Sequence, residues 1–214
     1  MEDAMKILKR ETVTPGELRV RAKGEGEGSG RTIEGYAILF DTPSAPLYED
    51  EEEVIREIID RSAVTQELLD SSDIKFTMFH NRQLLLARSK EGKGTLSYRL
   101  DEKGVAFSFD APHTPDGDKA LELIRTGIID GCSFAFTTRY YDRDCVERSV
   151  KNVAGRSEVT CRVKVILSIQ DMTITPDPAY PMTEVEAREL SGQRKPEPED
   201  LRSYFREKRR RIKQ

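Results

Sequence analysis

The sequence predicts a mainly β domain with a few helices, built on an antiparallel sheet or barrel. Segments with partial period-two alternation, rich in β-branched and aromatic residues, recur between glycines and charged turns. Helical signals are few and are not interleaved one for one with the strands, which argues against a parallel βαβ arrangement. A chain of 214 residues, 36% hydrophobic and 35% charged, holds enough apolar material for one sizeable core and polar appendages, not for two large domains.

Residues 1–31 end in "AKGEGEGSGR", whose glycines, serine and charges predict a flexible N-terminal segment. "TIEGYAILF" from Thr32 is a strand with one glycine inside it, and the acidic run Glu49 to Glu53 is a solvated loop. "AVTQELLDSS" predicts a short helix, and "DIKFTMFH", "GTLSYRLD" and "GVAFSFDAP" predict three strands in meander or barrel order. "TPDGDKALELIRTG" begins with capping residues, carries Ala120, Leu121, Leu123 and Ile124 at helical spacing, and stops at Gly127. "CSFAFTTRYYD" and then "EVTCRVKVILSIQDMTIT" return to strand. "TEVEAREL" predicts a final helix and "SGQRKPEPED" a linker, so the ordered domain runs over 32–190 and a basic tail over 191–214.

The charge is unevenly spread. From Arg194 to Gln214 nine Lys or Arg face four acids, whereas the whole chain is at −4, so a basic tail hangs on an acidic body. Leu201, Tyr204, Phe205, Lys208 and Ile212 fall near one helical face beside the cluster Arg209, Arg210 and Arg211. Such a tail suits docking to acidic protein segments, with nucleic acid the less favoured partner. Three cysteines without C-x-x-C spacing and two histidines indicate neither a disulfide framework nor a metal site. The charged start "MEDAMKILKRE" is unlike a signal peptide and no apolar run reaches membrane-spanning length, which predicts a reducing, cytoplasmic-type setting with no membrane partner.

The chemistry centres on "DGCSFAF". In a strand, Cys132, Phe134 and Phe136 share one face and Ser133, Ala135 and Thr137 the other, so the cysteine joins the aromatic core. Ser133 then looks outward beside a small alanine, with space for a substrate to approach. The near match to G-x-S-x-G fails as a hydrolase elbow, because that motif needs strand before serine and helix after, and the order here is the reverse. Taken alone, a strand serine is more often inert than nucleophilic.

A serine nucleophile needs a base, and histidine is the usual one. His113 lies in a proline-flanked loop. His80 ends "IKFTMFH" in phase with Ile74, Phe76 and Met78, which fits a satisfied core histidine and a base at the sheet rim equally well. Asp171 is in phase with Val165, Leu167 and Ile169, and an acid on an apolar face needs a partner: a histidine N–H, an arginine or backbone N–H groups. Asp110, by contrast, closes a strand as a turn residue.

The ordered set "FHNRQLLLARSKEGKGTLSYRLDEKGVAFSFDAPHTPDGDKALELIRTGIIDGCSFAFTT", with "GYAILFDTPS" before it and "IQDMTITPDPAYPMTEV" after, resembles the prohead (capsid maturation) serine proteases of tailed bacteriophages over about residues 32–185. The resemblance implies a herpesvirus-assemblin-like β-barrel ringed by helices. It implies an endopeptidase without cofactor or metal that cleaves phage major capsid protein, scaffold segments and itself inside the prohead in the host cytoplasm, with homo-oligomers as a further option. It carries the base onto His80, the nucleophile onto Ser133 and the acid onto the neighbourhood of Asp171. The charged insert "RYYDRDCVERSVKNVAGRSEVTCRV" and the polar ending "TITPDPAYP" depart from the family pattern.

In that scheme His80 deprotonates Ser133, Asp171 orients His80, and backbone N–H groups near Ser133 or around Arg139 stabilise the oxyanion. Two rivals stand beside it: a noncatalytic capsid-interior or scaffold-like protein of the same fold, and a peptidase using Cys132.

Overall fold

The computed structural model describes residues 8–14, 18–20 and 30–176. The expected final helix, linker and basic tail lie outside the described residues. In chain order the strands are β1 (Leu8–Thr14), β2 (Leu18–Val20), β3 (Thr32–Leu39), β4 (Tyr48–Glu49) and β5 (Glu53–Ile59). A 3-10 turn at Arg61–Ala63 and helix α1 (Gln66–Ser71) follow, then β6 (Asp73–Met78), β7 (Asn81–Lys90), β8 (Lys93–Gly94), β9 (Ser97–Leu100) and β10 (Gly104–Asp110). Helix α2 (Pro115–Arg125) leads to β11 (Gly131–Thr138), β12 (Val146–Val153), β13 (Arg156–Val163) and β14 (Ser168–Thr175). The chain is mainly β with few helices.

Among the described residues the strands form three sheets, ordered β1-β11-β14-β6-β7-β8, β2-β3-β10-β9 and β12-β13-β5-β4. They do not close into the expected barrel: closure requires the end strands of one sheet to pair with each other, and each sheet here has its own ends. The first sheet packs on the second through Phe76, whose ring centroid lies 4.5 Å from that of Phe107 and 4.6 Å from that of Phe109. Isolated bridges from Phe40 to Ile59 and Pro43 to Ile58 join β3's continuation to β5.

Pairing is antiparallel except for β13 with β5 and β14 with β6. The single long strand expected at "EVTCRVKVILSIQDMTIT" is two, β13 and β14, in different sheets. The charged insert forms most of the β12–β13 hairpin, where Val150 and Val153 are exposed. Residues 1–31, which the sequence assigns to a flexible segment, include β1 and β2. Strand β1 pairs with β11 from Leu8 opposite Thr138 to Thr14 opposite Cys132, a distant ladder that its local sequence gives no means of foreseeing.

Helix α2 forms as expected. Thr114 caps it by accepting from the Gly117 N–H at 3.2 Å, Pro115 takes the first turn where no N–H is needed, and Ala120, Leu121 and Ile124 face the core. Gly127, at φ +70°, ends it in the left-handed region. The chain then turns through Ile128 to Asp130 into β11, which fixes where Ser133 begins. No helix among the described residues is long and apolar enough to cross a membrane.

Candidate active site

Strand β11 lies inside its sheet, between β1 and β14, and every residue of it except Thr137 is buried. Cys132, Phe134 and Phe136 face the core as the alternation predicts, with Phe134 and Phe136 stacked 5.2 Å apart. Ser133 points to the other face but has 0% exposure, so the open approach expected from the neighbouring alanine is absent. A strand flanked on both sides and covered on both faces has no outward side. Burial pushes the Cys132 thiol well above its ordinary range, leaving it neutral and poorly nucleophilic.

Asp171 reaches the Ser133 face by a bulge. In the β11–β14 ladder Ala135 stands opposite Asp171 while Phe136 stands opposite Ile169, which leaves Gln170 as the extra residue. The bulge reverses the phase, so that Ile169 sides with Phe136 whereas Asp171 and Thr173 side with Ala135 and Ser133. The expected shared face of Val165, Leu167, Ile169 and Asp171 therefore does not exist. Val165 and Leu167 are exposed and precede the strand.

His80 is not in strand phase either. Strand β6 ends at Met78, which pairs with Asn81, and Phe79 and His80 form the two-residue turn between them with φ of +58° and +54°. Two left-handed residues are the signature of a type I′ turn, normally built from Asn and Gly. In Phe and His this conformation costs about 1–2 kcal/mol each, so the surroundings must hold it. The turn swings the imidazole away from the Ile74, Phe76 and Met78 face to the side of Ser133 and Asp171.

There the three side chains meet. His80 Nδ1 lies 2.6 Å from Asp171 Oδ1 and His80 Nε2 lies 2.9 Å from Ser133 Oγ. A carboxylate only accepts, so a neutral ring carries its proton on Nδ1, donates it to Asp171, and leaves Nε2 to accept from the serine hydroxyl. The Asp171 side chain is 2% exposed and that of His80 10%, which places the contact in a low-dielectric setting where such bonds are strong. Its Oγ–H···Nε2 and Nδ1–H···Oδ1 sequence can move a proton off a hydroxyl and stabilise the resulting cation.

Two threonines that belong to no sequence motif complete the cluster. Thr77 and Thr173, both 0% exposed, alternate with Phe76 and Met78 and with Met172 and Ile174. Buried polar residues out of phase with a core face were the available signal. Thr173 Oγ1 accepts from the His80 backbone N–H at 2.9 Å and from Thr77 Oγ1 at 3.0 Å, and donates to the Thr77 carbonyl at 2.9 Å.

Other expected groups lie elsewhere. His113 is exposed just before α2, and Asp110 accepts from Thr32 Oγ1 at 2.7 Å. Arg139 follows the end of β11, about 20 Å along an extended strand from Ser133, which removes its backbone N–H from the oxyanion role. No group of three or more His, Cys, Asp or Glu among the described residues could hold a metal ion.

The family model described as caudovirus prohead serine protease matches residues 16–197. This chain belongs to that family. Prohead serine protease membership covers the whole of the site, from the turn that carries His80 to the strand that carries Asp171. Among solved structures, that of the bacteriophage T4 capsid assembly protease, gp21, is similar at 13% identity, covering 77% of this chain and 96% of that chain with a TM-score of 0.36. No curated protein sequence matches significantly.

Proposed function

We propose that this prohead protease family member is a serine endopeptidase in which Ser133 is the nucleophile, His80 the general base and acid, and Asp171 the group that orients His80. The observation that carries the reading is the unbroken hydrogen-bonded sequence from Ser133 Oγ through both ring nitrogens of His80 to Asp171. His80 Nε2 takes the hydroxyl proton as Oγ bonds to the peptide carbonyl carbon. The tetrahedral intermediate expels the amine, which receives that proton from Nε2, and leaves an ester on Ser133. Water then attacks the ester, giving its proton to His80 and releasing the new carboxyl end as Oγ regains a proton.

Family membership supports capsid and scaffold proteins as substrates, cleaved within the prohead, with this chain as a further substrate. Ser133 is fully buried, so a substrate carbonyl reaches Oγ only after this face is uncovered. The test is a fluorophosphonate probe on the intact chain, followed by mapping of the modified residue. Labelling at Ser133, lost in Ser133→Ala and His80→Ala, is the expected result. Labelling at Cys132, or cleavage of capsid protein at the wild-type rate by Ser133→Ala, would overturn it, and folded protein inert to probe and substrate would favour a noncatalytic scaffold-like role.

A further inference from the structure

The Phe79–His80 turn has no support from its own residues. Neither is Gly or Asn, both have positive φ, and a side chain placed there by local preference alone would sample other turns. The support comes from β14. Both backbone N–H groups of the turn are tied to it: Phe79 N–H donates to the Ile174 carbonyl at 3.1 Å and His80 N–H to the Thr173 hydroxyl at 2.9 Å.

The Thr173 hydroxyl is itself fixed. It has one proton and two lone pairs, and it gives the proton to the Thr77 carbonyl while accepting from Thr77 Oγ1 and from His80 N–H. The Ile174 carbonyl is a second acceptor at 3.4 Å, and the shorter bond to the Thr77 carbonyl at 2.9 Å sets the orientation of the hydroxyl. Thr173 also stands two residues beyond Asp171 on the same strand and directly opposite Ser133 in the ladder. His80 is therefore held to β14 at two points, its ring by Asp171 and its backbone by Thr173.

We propose that Thr173, seated by Thr77, is a positioning residue that holds the strained turn so that the His80 ring spans Asp171 and Ser133. A ring attached through Asp171 alone could pivot about that one bond and carry Nε2 away from Oγ. The second attachment removes that freedom. The proposal rests on the serine-protease reading for its kinetic arm, and its spectroscopic arm stands without it.

The test uses the intact chain and three substitutions. Thr173→Val keeps the shape and removes the hydroxyl, Thr173→Ser keeps the hydroxyl, and Thr77→Val removes one of the groups that fix it. Two readouts are taken, the rate of fluorophosphonate labelling at Ser133 and the hydrogen-bonded Nδ1–H proton resonance of His80, which needs no catalysis. Only two histidines are present, so the resonance is readily assigned. Thr173→Val is expected to slow labelling roughly 100-fold, the loss that about 1 Å of misplacement brings, and to broaden or abolish the Nδ1–H signal. Thr173→Ser is expected to restore most of both.

A folded Thr173→Val protein with wild-type labelling and a wild-type imidazole signal overturns the proposal. If Thr173→Val does not fold, Thr77→Val decides, because it leaves the Thr173 hydroxyl in place: slower labelling with a weakened signal supports the assignment, and no change in either refutes it. If the wild-type chain neither labels at Ser133 nor cleaves capsid protein, the serine reading fails on its own, and the response of the His80 signal to Thr173→Val still decides whether Thr173 positions the ring.

Discussion

Asp171 stands directly across from Ala135 in the β11–β14 ladder, two residues before Thr173, which aligns with Ser133. On that face the His80 ring spans the carboxylate and the serine hydroxyl. Asp171 and Ser133 are thus set on neighbouring strands, while His80 enters from the turn that follows a third, β6.

Replacing Asp171 with Asn should keep the shape of the cluster and reverse its hydrogen bonding, because an amide can offer N–H where the carboxylate only accepts. The wrong tautomer of His80 would then be favoured, with its proton on the nitrogen that should receive one. Probe labelling at Ser133 should fall by roughly 10³- to 10⁴-fold while circular dichroism stays unchanged. A loss below tenfold would remove Asp171 from the proposed mechanism.

Cys132→Ala should leave labelling at Ser133 close to wild type, since the thiol faces Phe134 and Phe136 and is fully buried. The cost should be in stability, on the order of 1 kcal/mol from lost core volume, measured by urea unfolding. Thiol reagents should modify Cys132 only as fast as the domain opens. Rapid modification of the native protein would contradict the burial.

The Asp73 carboxyl is held well below the usual carboxylate range, chiefly by the guanidinium of Arg88, which donates to both its oxygens at 2.7 Å, against an opposing effect of burial. A carboxylate with a depressed folded-state pKa stabilises the fold above its unfolded value, near 3.8, and that contribution is lost as pH falls below it. Both side chains are partly exposed, so the effect is modest. Urea midpoints of wild type and Asp73→Asn should therefore differ most near neutrality and draw together progressively as pH falls below roughly 4. A gap that widens with acid would contradict this ion pair.

Gly117→Ala tests the start of the helix that sets β11. A Cβ there would lie 2.0 Å from the Pro112 carbonyl oxygen, a backbone atom that also accepts from Arg31 Nη2 at 2.7 Å. Alanine gains about 1 kcal/mol of helix propensity over glycine, and the clash should outweigh it, for a net loss of about 1–3 kcal/mol. A raised melting temperature would show that the loop yields without cost.

The strand-rich class, the helix from Thr114 and the facing of Cys132 were legible because they rest on local periodicity and capping. The faces of His80 and Asp171 were not, although both residues were picked out. Strand periodicity puts Asp171 on one face with Val165, Leu167 and Ile169, and the bulge at Gln170 undoes that face. The same periodicity puts His80 in phase with Met78, and a two-residue turn with positive φ carries it to the opposite side. Bulges and left-handed turns without glycine leave no periodic trace, so the position of a residue along the chain was readable where its direction was not.

Sheet closure and the partners of β1 were beyond the sequence for another reason. Pairing over more than a hundred residues, as between β1 and β11, depends on which edges remain free after everything else has paired. The division of "EVTCRVKVILSIQDMTIT" between two sheets is of the same kind, since both halves have strand composition and only their distant partners separate them, β12 and β5 for β13, β11 and β6 for β14.

Strand β14 is the last of the described strands to leave the ribosome, yet it occupies the place between β11 and β6. A nascent chain that has made His80 and Ser133 still lacks the strand that makes neighbours of them. Asp171 follows His80 by 91 residues, several seconds of synthesis at roughly 5–20 residues per second. Insertion of β14 brings the acid, the Thr173 anchor and the correct spacing of the other two groups in one event. An unfinished or prematurely released chain therefore lacks the assembled cluster, and under the proposed serine-protease reading it would be inactive.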